Sequence, residues 1–266
     1  MKKIKYIMLL FSFLIMGAQA QKTSFLTVFE MPNAVNYLPA PPDTASPRFF
    51  NDWYQYGWGK SLRLTPRGEL ARKDAVLTVE AISEDFSPAF GMQISGSNTP
   101  ELYALLSKVI MDAGNATFLA KKHYMRKRPY MQFHEETLIP NDDEALSTNG
   151  SYPSGHTTIG WATALVLAEI NPKQQDTILA RGYEFGESRV IAGFHYQSDV
   201  DAGRLVASAA VARLHASEDF MLQLNKAKKE FLDKIQSQDD LTDGNTHRNK
   251  FGKKHKKLKK DLMATK

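Results

Sequence analysis

The stretch from Thr157 to Ile170 is apolar on nearly every face. Ile159, Trp161, Leu165, Val166 and Leu167 leave no polar stripe, so a helix here has to be buried on all sides. Such a helix needs other helices around it, and the chain supplies their start signals. Thr65-Pro66, Thr99-Pro100 and Asn171-Pro172 each place a capping residue before a proline suited to the first helical turn. They predict helices running to about Ser83, Lys121 and Arg189. Ser198 to Leu214 is rich in Ala, Val and Ser, which allows close helix packing. From Glu218 to about Gln236, Phe220, Leu224, Phe231 and Leu232 alternate with charges, as in an amphipathic outer helix. There is no sustained period-2 run, no internal repeat and no linker to a second domain.

The N-terminus reads as a targeting segment. Lys2, Lys3 and Lys5 precede an apolar run from Tyr6 to Met16, and Ala18-Gln19-Ala20 has the small-x-small pattern of a cleavage site. The run is too short for a resident membrane helix. Residues 1–20 are therefore expected to be a signal peptide, with Gln21 as the mature N-terminus. The chain has no cysteine, which excludes a lipoprotein signal, disulfides, Cys-based zinc sites and thiol nucleophiles. An exported chain without disulfides depends on a packed core, and 266 residues suffice for one.

The net charge of +5 misleads, because the basic residues sit at the ends. The body from Gln21 to Asp240 carries −5, while residues 237–266 hold a block of lysines expected to be a disordered tail. Little aromatic interleaving there supports base stacking, so no nucleic acid is expected as a specific partner. Residues 21–48, with Pro32, Pro39, Pro41, Pro42 and Pro47, are expected to form an extended lead-in to a domain spanning 49–236. The aromatic stretch that follows (Phe49, Phe50, Trp53, Tyr54, Tyr56, Trp58) is expected to pack on the core. No apolar stretch after the signal reaches about 18 residues, so no membrane span is expected.

Three segments carry the chemistry. Lys121 is followed, after six residues, by Arg128-Pro129; then comes Pro153-Ser154-Gly155-His156; then Ser188-Arg189, five residues, His195, three residues, and Asp199. Lys121 offers a point charge, and Arg128 and Arg189 offer planar forks for paired oxygens. Ser154 can donate its hydroxyl, Gly155 its amide, and a helix starting near His156 adds its N-terminal amides. This inventory fits a phosphate dianion, whose transfer is catalysed mainly by positioning and charge. Without cysteine, histidine is the natural nucleophile. His195 and Asp199, four apart, can set a carboxylate on Nδ1 and leave Nε2 free to attack. His156 is then the general acid, and afterwards the base for water. Each segment alone is weak. Jointly, eleven fixed identities at about one in twenty each make coincidence negligible.

These segments resemble the three-part signature of the type 2 phosphatidic acid phosphatase superfamily, shared with glucose-6-phosphatase and vanadium-dependent haloperoxidases. The block from Gly150 to Thr157 is similar to the signature of the class A bacterial nonspecific acid phosphatases. The likeness covers roughly Phe49 to Leu232. It implies an all-α, single-domain helical bundle with the site in its core. It implies phosphate contacts from Lys121, Arg128, Ser154, Gly155 and Arg189, with His156 as acid and base, His195 as nucleophile and Asp199 as its orienting acid. It further implies no metal or other cofactor, inhibition by vanadate, a periplasmic location and a homo-oligomer. The expected function is hydrolysis of small, soluble phosphomonoesters through a phosphohistidine, with possible transfer to alcohols. The alternatives are a vanadium haloperoxidase or a lipid phosphate phosphatase. His123, His134, His215, His247 and His255 are expected to be structural or at the surface.

Overall fold

The structure is a computed structural model, described here for residues 23–237. The segment expected to be a signal peptide and nearly all of the basic tail lie outside the described residues.

The segment before the first helix is irregular but anchored. The amides of Phe25 and Leu26 donate to the two carboxylate oxygens of Asp112 at 2.9 and 3.0 Å. The Phe25 ring meets Phe220 edge-on at 5.4 Å, and Met31, Ala34 and Leu38 are buried. Burial pushes the Asp112 carboxyl up to about 6, against the two amides that favour its charge.

Helices follow in order: α1 (Pro47–Ser61), α2 (Pro66–Lys73), α3 (Val79–Phe90), α4 (Pro100–Ala116), α5 (Phe118–Tyr124), α6 (Pro129–Phe133), α7 (Asp143–Ser147), α8 (Gly155–Ile170), α9 (Gln175–Ala192) and α10 (Gln197–Leu214). A last helix, α11, covers 218–237. Among the described residues there is no strand, and no helix is long and apolar enough to cross a membrane.

As its composition requires, α8 is the central rod. It packs chiefly against α9, α10 and α4, while α1, α2 and α3 lie on the other sides of α9. Thr157, Ile159, Ala162, Ala164, Val166, Leu167 and Ile170 are all buried. Each large side chain so enclosed contributes about 1.5–3 kcal/mol. Glycine sets how closely α8 and α9 approach. A Cβ on Gly160 would lie 2.4 Å from Cδ1 of Phe185, and one on Gly182 would lie 2.4 Å from Cβ of Ala164.

The structure departs from the expected elements in four places. The helix expected from Pro66 to Ser83 is broken after Lys73, and Thr78 caps a new one by accepting from the Ala81 amide at 3.2 Å. Asp74 stands buried at that break, where its carboxylate takes the Ser188 hydroxyl at 2.5 Å and pairs with Arg181. The helix from Pro100 bends at Thr117 into α5. The aromatic stretch does not pack inward as expected. Tyr56 is buried, but Phe50 and Tyr54 are each 69% exposed and Trp53 58%. In α11 the inward positions are Phe220, Leu224, Ala227 and Phe231, whereas Leu232 faces out.

Candidate active site

Lys121 enters from the last turn of α5. Met125, in the left-handed conformation (φ 41°), ends that helix and turns the chain. Arg128 follows in extended conformation, as expected before a proline, and Pro129 opens the short helix α6. The second segment starts α8. Ser154 is its N-cap: Oγ accepts from the Thr157 amide at 3.3 Å and the Thr157 hydroxyl at 2.8 Å. The Gly155 and His156 amides precede the first intrahelical bond, made by Thr158 N to Ser154 O, and so sit at the positive end of the helix. Arg189 lies in the last turn of α9. Gly193, left-handed at φ 88°, caps it and folds the chain back, so that the amides of Phe194 and His195 donate to Arg189 O at 3.2 and 3.3 Å. Asp199 stands in the first turn of α10 and reaches back to the Tyr196 amide at 2.9 Å, as a capping box does.

The turns bring the three segments together. Lys121, Arg128, Gly155, His156 and His195 line one cavity of about 510 Å³. Leu77, Phe118, Met125, Leu146 and Ile159 form an apolar wall on the same cavity. Ser154 and Arg189 are wholly buried and are not among its lining residues. The Arg189 charge nevertheless acts on Lys121, His156 and His195.

The cluster is cationic and buried. Lys121 Nζ donates to Gly150 O at 2.7 Å. Burial, then Arg128 and Arg189, push its ammonium down to about 7 against the pull of Asp199. Arg128 Nε donates to Leu146 O at 2.8 Å and Asn149 O at 3.2 Å, and Nη1 donates to Phe194 O at 3.2 Å. Arg189 stacks over the Phe194 ring at 4.8 Å. Its Nε, Nη1 and Nη2 have no protein acceptor, although the side chain is fully buried. Burial, then Arg128, hold its guanidinium below the ordinary arginine range.

Both histidines are distinguishable by partner. Nη1 of Arg128 is 3.1 Å from Nε2 of His195. A guanidinium only donates, so Nε2 carries a lone pair and the proton sits on Nδ1. Nε2 of His156 is 3.1 Å from Ala75 O, and a carbonyl only accepts. His156 therefore keeps its proton on Nε2 and carries a lone pair on Nδ1. Burial, followed by Arg189 for His156 and Arg128 for His195, holds both well below the ordinary histidine value. In the ligand-free site both are neutral.

Asp199 Oδ2 lies 3.4 Å from Nδ1 of His195, without a hydrogen bond between them, so the pair becomes an ion pair only when His195 carries positive charge. Oδ2 is already taken by the Ser151 hydroxyl and the Tyr196 amide, both at 2.9 Å. Sequence reasoning missed three residues here: Ser151, Arg126, whose Nη1 reaches Asp199 Oδ1 at 2.6 Å, and Asp52, which holds Arg126 from α1 at 2.8 Å. Arg126 and Ser151 stand inside or beside the motif segments, a cue of position but not of role. Asp52 gave no cue at all. His123, His134 and His215 do not line the cavity. His215 pairs with Glu169 at 2.9 Å near the surface. Among the described residues no three His, Asp or Glu gather to hold a metal ion.

Residues 101–219 match the PAP2 superfamily. A non-specific acid phosphatase of Providencia stuartii is 55% identical over 195 residues, which is 73% of this chain and 79% of that protein. A non-specific acid phosphatase of Salmonella typhimurium is 43% identical over 77% of this chain and 82% of its own length. An acid phosphatase of Zymomonas mobilis is 38% identical over 73% and 74%. The helical architecture, the gathered signature residues and relatives of this closeness agree: the chain belongs to the PAP2 superfamily, alongside its non-specific acid phosphatases.

Proposed function

We propose that this chain is an acid phosphatase that hydrolyses small, soluble phosphomonoesters through a phosphohistidine on His195. One observation carries the reading. Arg189 is fully buried with none of its nitrogens paired to protein, and Arg128 stands near enough to depress both the Arg189 guanidinium and the Lys121 ammonium. A buried unpaired cation is strongly unfavourable unless a ligand supplies the counter-charge. A phosphate dianion does so, and its oxygens match the guanidinium forks.

The steps follow from the tautomers. On binding, Arg128 exchanges Nε2 of His195 for a phosphoryl oxygen, freeing the lone pair. The Ser154 hydroxyl and the first amides of α8 take further oxygens. The dianion reverses the field on His156, which becomes able to hold a second proton at Nδ1. Nε2 of His195 attacks phosphorus, the P–O ester bond breaks, and the leaving oxygen takes the proton from Nδ1 of His156. Neutral His156 then removes a proton from water, which attacks phosphorus. The N–P bond breaks, phosphate leaves and Nε2 regains its lone pair. Asp199 offsets the positive charge that His195 carries in between. An alcohol can replace water in the second step, so phosphotransfer belongs to the same reading.

Export to the periplasm rests on the basic, apolar and Ala18-Gln19-Ala20 pattern of the first residues. Self-association is supported by Phe50, Trp53 and Tyr54, exposed together on α1. The test of the enzyme reading is hydrolysis of a chromogenic aryl phosphate at mildly acid pH, with a chelator and with or without vanadate. Chelator-resistant, vanadate-sensitive turnover is expected. Turnover that a chelator abolishes, or none from folded protein, contradicts it.

A further inference from the structure

We infer that Arg126, held by Asp52, is a positioning residue that keeps the Asp199 carboxylate on His195. The inference deepens the phosphohistidine reading and rests on it.

An ionised carboxylate has about four lone-pair sites. On Oδ2 of Asp199, Ser151 and Tyr196 occupy both. The remaining control over the carboxylate acts through Oδ1, and there Arg126 Nη1 donates at 2.6 Å. The carboxylate plane, and with it the 3.4 Å approach of Oδ2 to Nδ1 of His195, is thus pinned from its far side. Arg126 is itself fixed on every side. Nη1 also donates to Ser198 Oγ at 2.8 Å, Nη2 to Asp52 Oδ2 at 2.8 Å, and its guanidinium stacks on the Tyr196 ring at 4.1 Å.

Asp52 binds the same short stretch a second way. It accepts from the Ser198 amide at 2.8 Å and the Ser198 hydroxyl at 2.6 Å. Its carboxylate is fully buried. The network therefore joins α1, the turn after α5 and the first turn of α10, without reaching the cavity. A brace of the fold needs only the ion pairs. A positioning role adds a coupling between Arg126 and Asp199 during turnover, and that separates the two.

The experiment compares full-length Arg126→Met, Asp199→Asn, the double variant, Asp52→Asn and His195→Ala. Turnover of an aryl phosphate is read together with inhibition by inorganic phosphate, per folded protein. Arg126→Met is expected to lower kcat by about 10- to 100-fold, as loss of a ligand-orienting partner does. Its inhibition constant for phosphate should stay within about twofold, since Arg126 leaves the phosphate cradle untouched. The double variant should lose no more than Asp199→Asn alone. Asp52→Asn, close in shape to the natural residue, should lower kcat in the same direction and keeps the test available where Arg126→Met fails to fold. Losses that multiply in the double variant, an unchanged kcat in either single variant, or phosphate inhibition weakening in parallel overturn the inference. Persisting activity of His195→Ala overturns the phosphohistidine reading itself, and this inference with it.

Discussion

Nη1 of Arg128 and Nε2 of His195 stand 3.1 Å apart, a donor facing a lone pair. In the proposed mechanism this contact selects the tautomer an attacking histidine needs, and the guanidinium stands where the phosphoryl oxygens would arrive. Arg128→Lys keeps a charge but loses the fork, the clamp to Leu146 and Asn149, and the tautomer lock. It should lower kcat/KM by about 10²- to 10³-fold, as removal of a transition-state donor does. Steady-state kinetics with an aryl phosphate check this; a loss under about tenfold contradicts it.

Arg189 gives the opposite sign in stability and in function. Its guanidinium is buried without an acceptor beside other cations, so the ligand-free protein is strained by it. Arg189→Met should raise the melting midpoint of the ligand-free protein by about 2–8 °C, for roughly 1–2 kcal/mol. It should also abolish the stabilisation that inorganic phosphate gives the native chain. Scanning calorimetry with and without phosphate reads both. A lowered midpoint with phosphate binding retained contradicts the assignment.

The two site histidines set the acid response. Both are held neutral, well below the ordinary value. As pH falls through about 6.5, the unfolded chain takes protons that the folded chain refuses, so ligand-free stability falls. Asp112, raised to about 6, works the other way: below that pH the folded chain takes the proton first and gains relative stability. Asp85, also raised by burial, acts in the same sense as Asp112. An anion that restores the histidine charges should therefore stabilise more in acid. Sulfate remains a dianion across this range, and the rise in melting midpoint it gives should grow between pH about 7 and about 5. A rise that is flat or shrinks with acid contradicts the electrostatic account.

Close helix packing makes Gly160 a stability position away from the chemistry. A methyl there meets Cδ1 of Phe185 at 2.4 Å and Cγ at 2.8 Å. Gly160→Ala should destabilise by about 1–3 kcal/mol through overpacking, with KM unchanged. Denaturant titration and kinetics on the same preparation test it; an unchanged midpoint contradicts the packing described.

Much of this architecture is written in local pattern. The all-round apolar stretch is the central helix α8, and the residues with chemistry stand in three short segments at fixed spacing. What local pattern cannot carry are partners distant along the chain. Asp52 meets Arg126 from 74 positions away, and Asp74 meets Ser188 from 114. Neither carboxylate belongs to any periodic or motif signal. The break after Lys73 is illegible for the same reason, since the residues beside it have distant partners: Asp74 is buried against Ser188, and the Ala75 carbonyl meets Nε2 of His156. The aromatic residues of α1 misled because size and apolarity report a preference for burial, not the direction a helix faces.

The central claim is that Nε2 of His195 forms a bond to phosphorus. The most direct test uses His156→Ala with an aryl phosphate whose leaving group needs no proton. The first step then proceeds while water lacks its base, and the covalent species accumulates. After an alkaline quench, in which a phosphorus–nitrogen bond survives, mass spectrometry of the peptide containing His195 should find one phosphoryl group on that residue, absent in the His156→Ala/His195→Ala double variant. Turnover without any such adduct, or an adduct on another residue, contradicts the account.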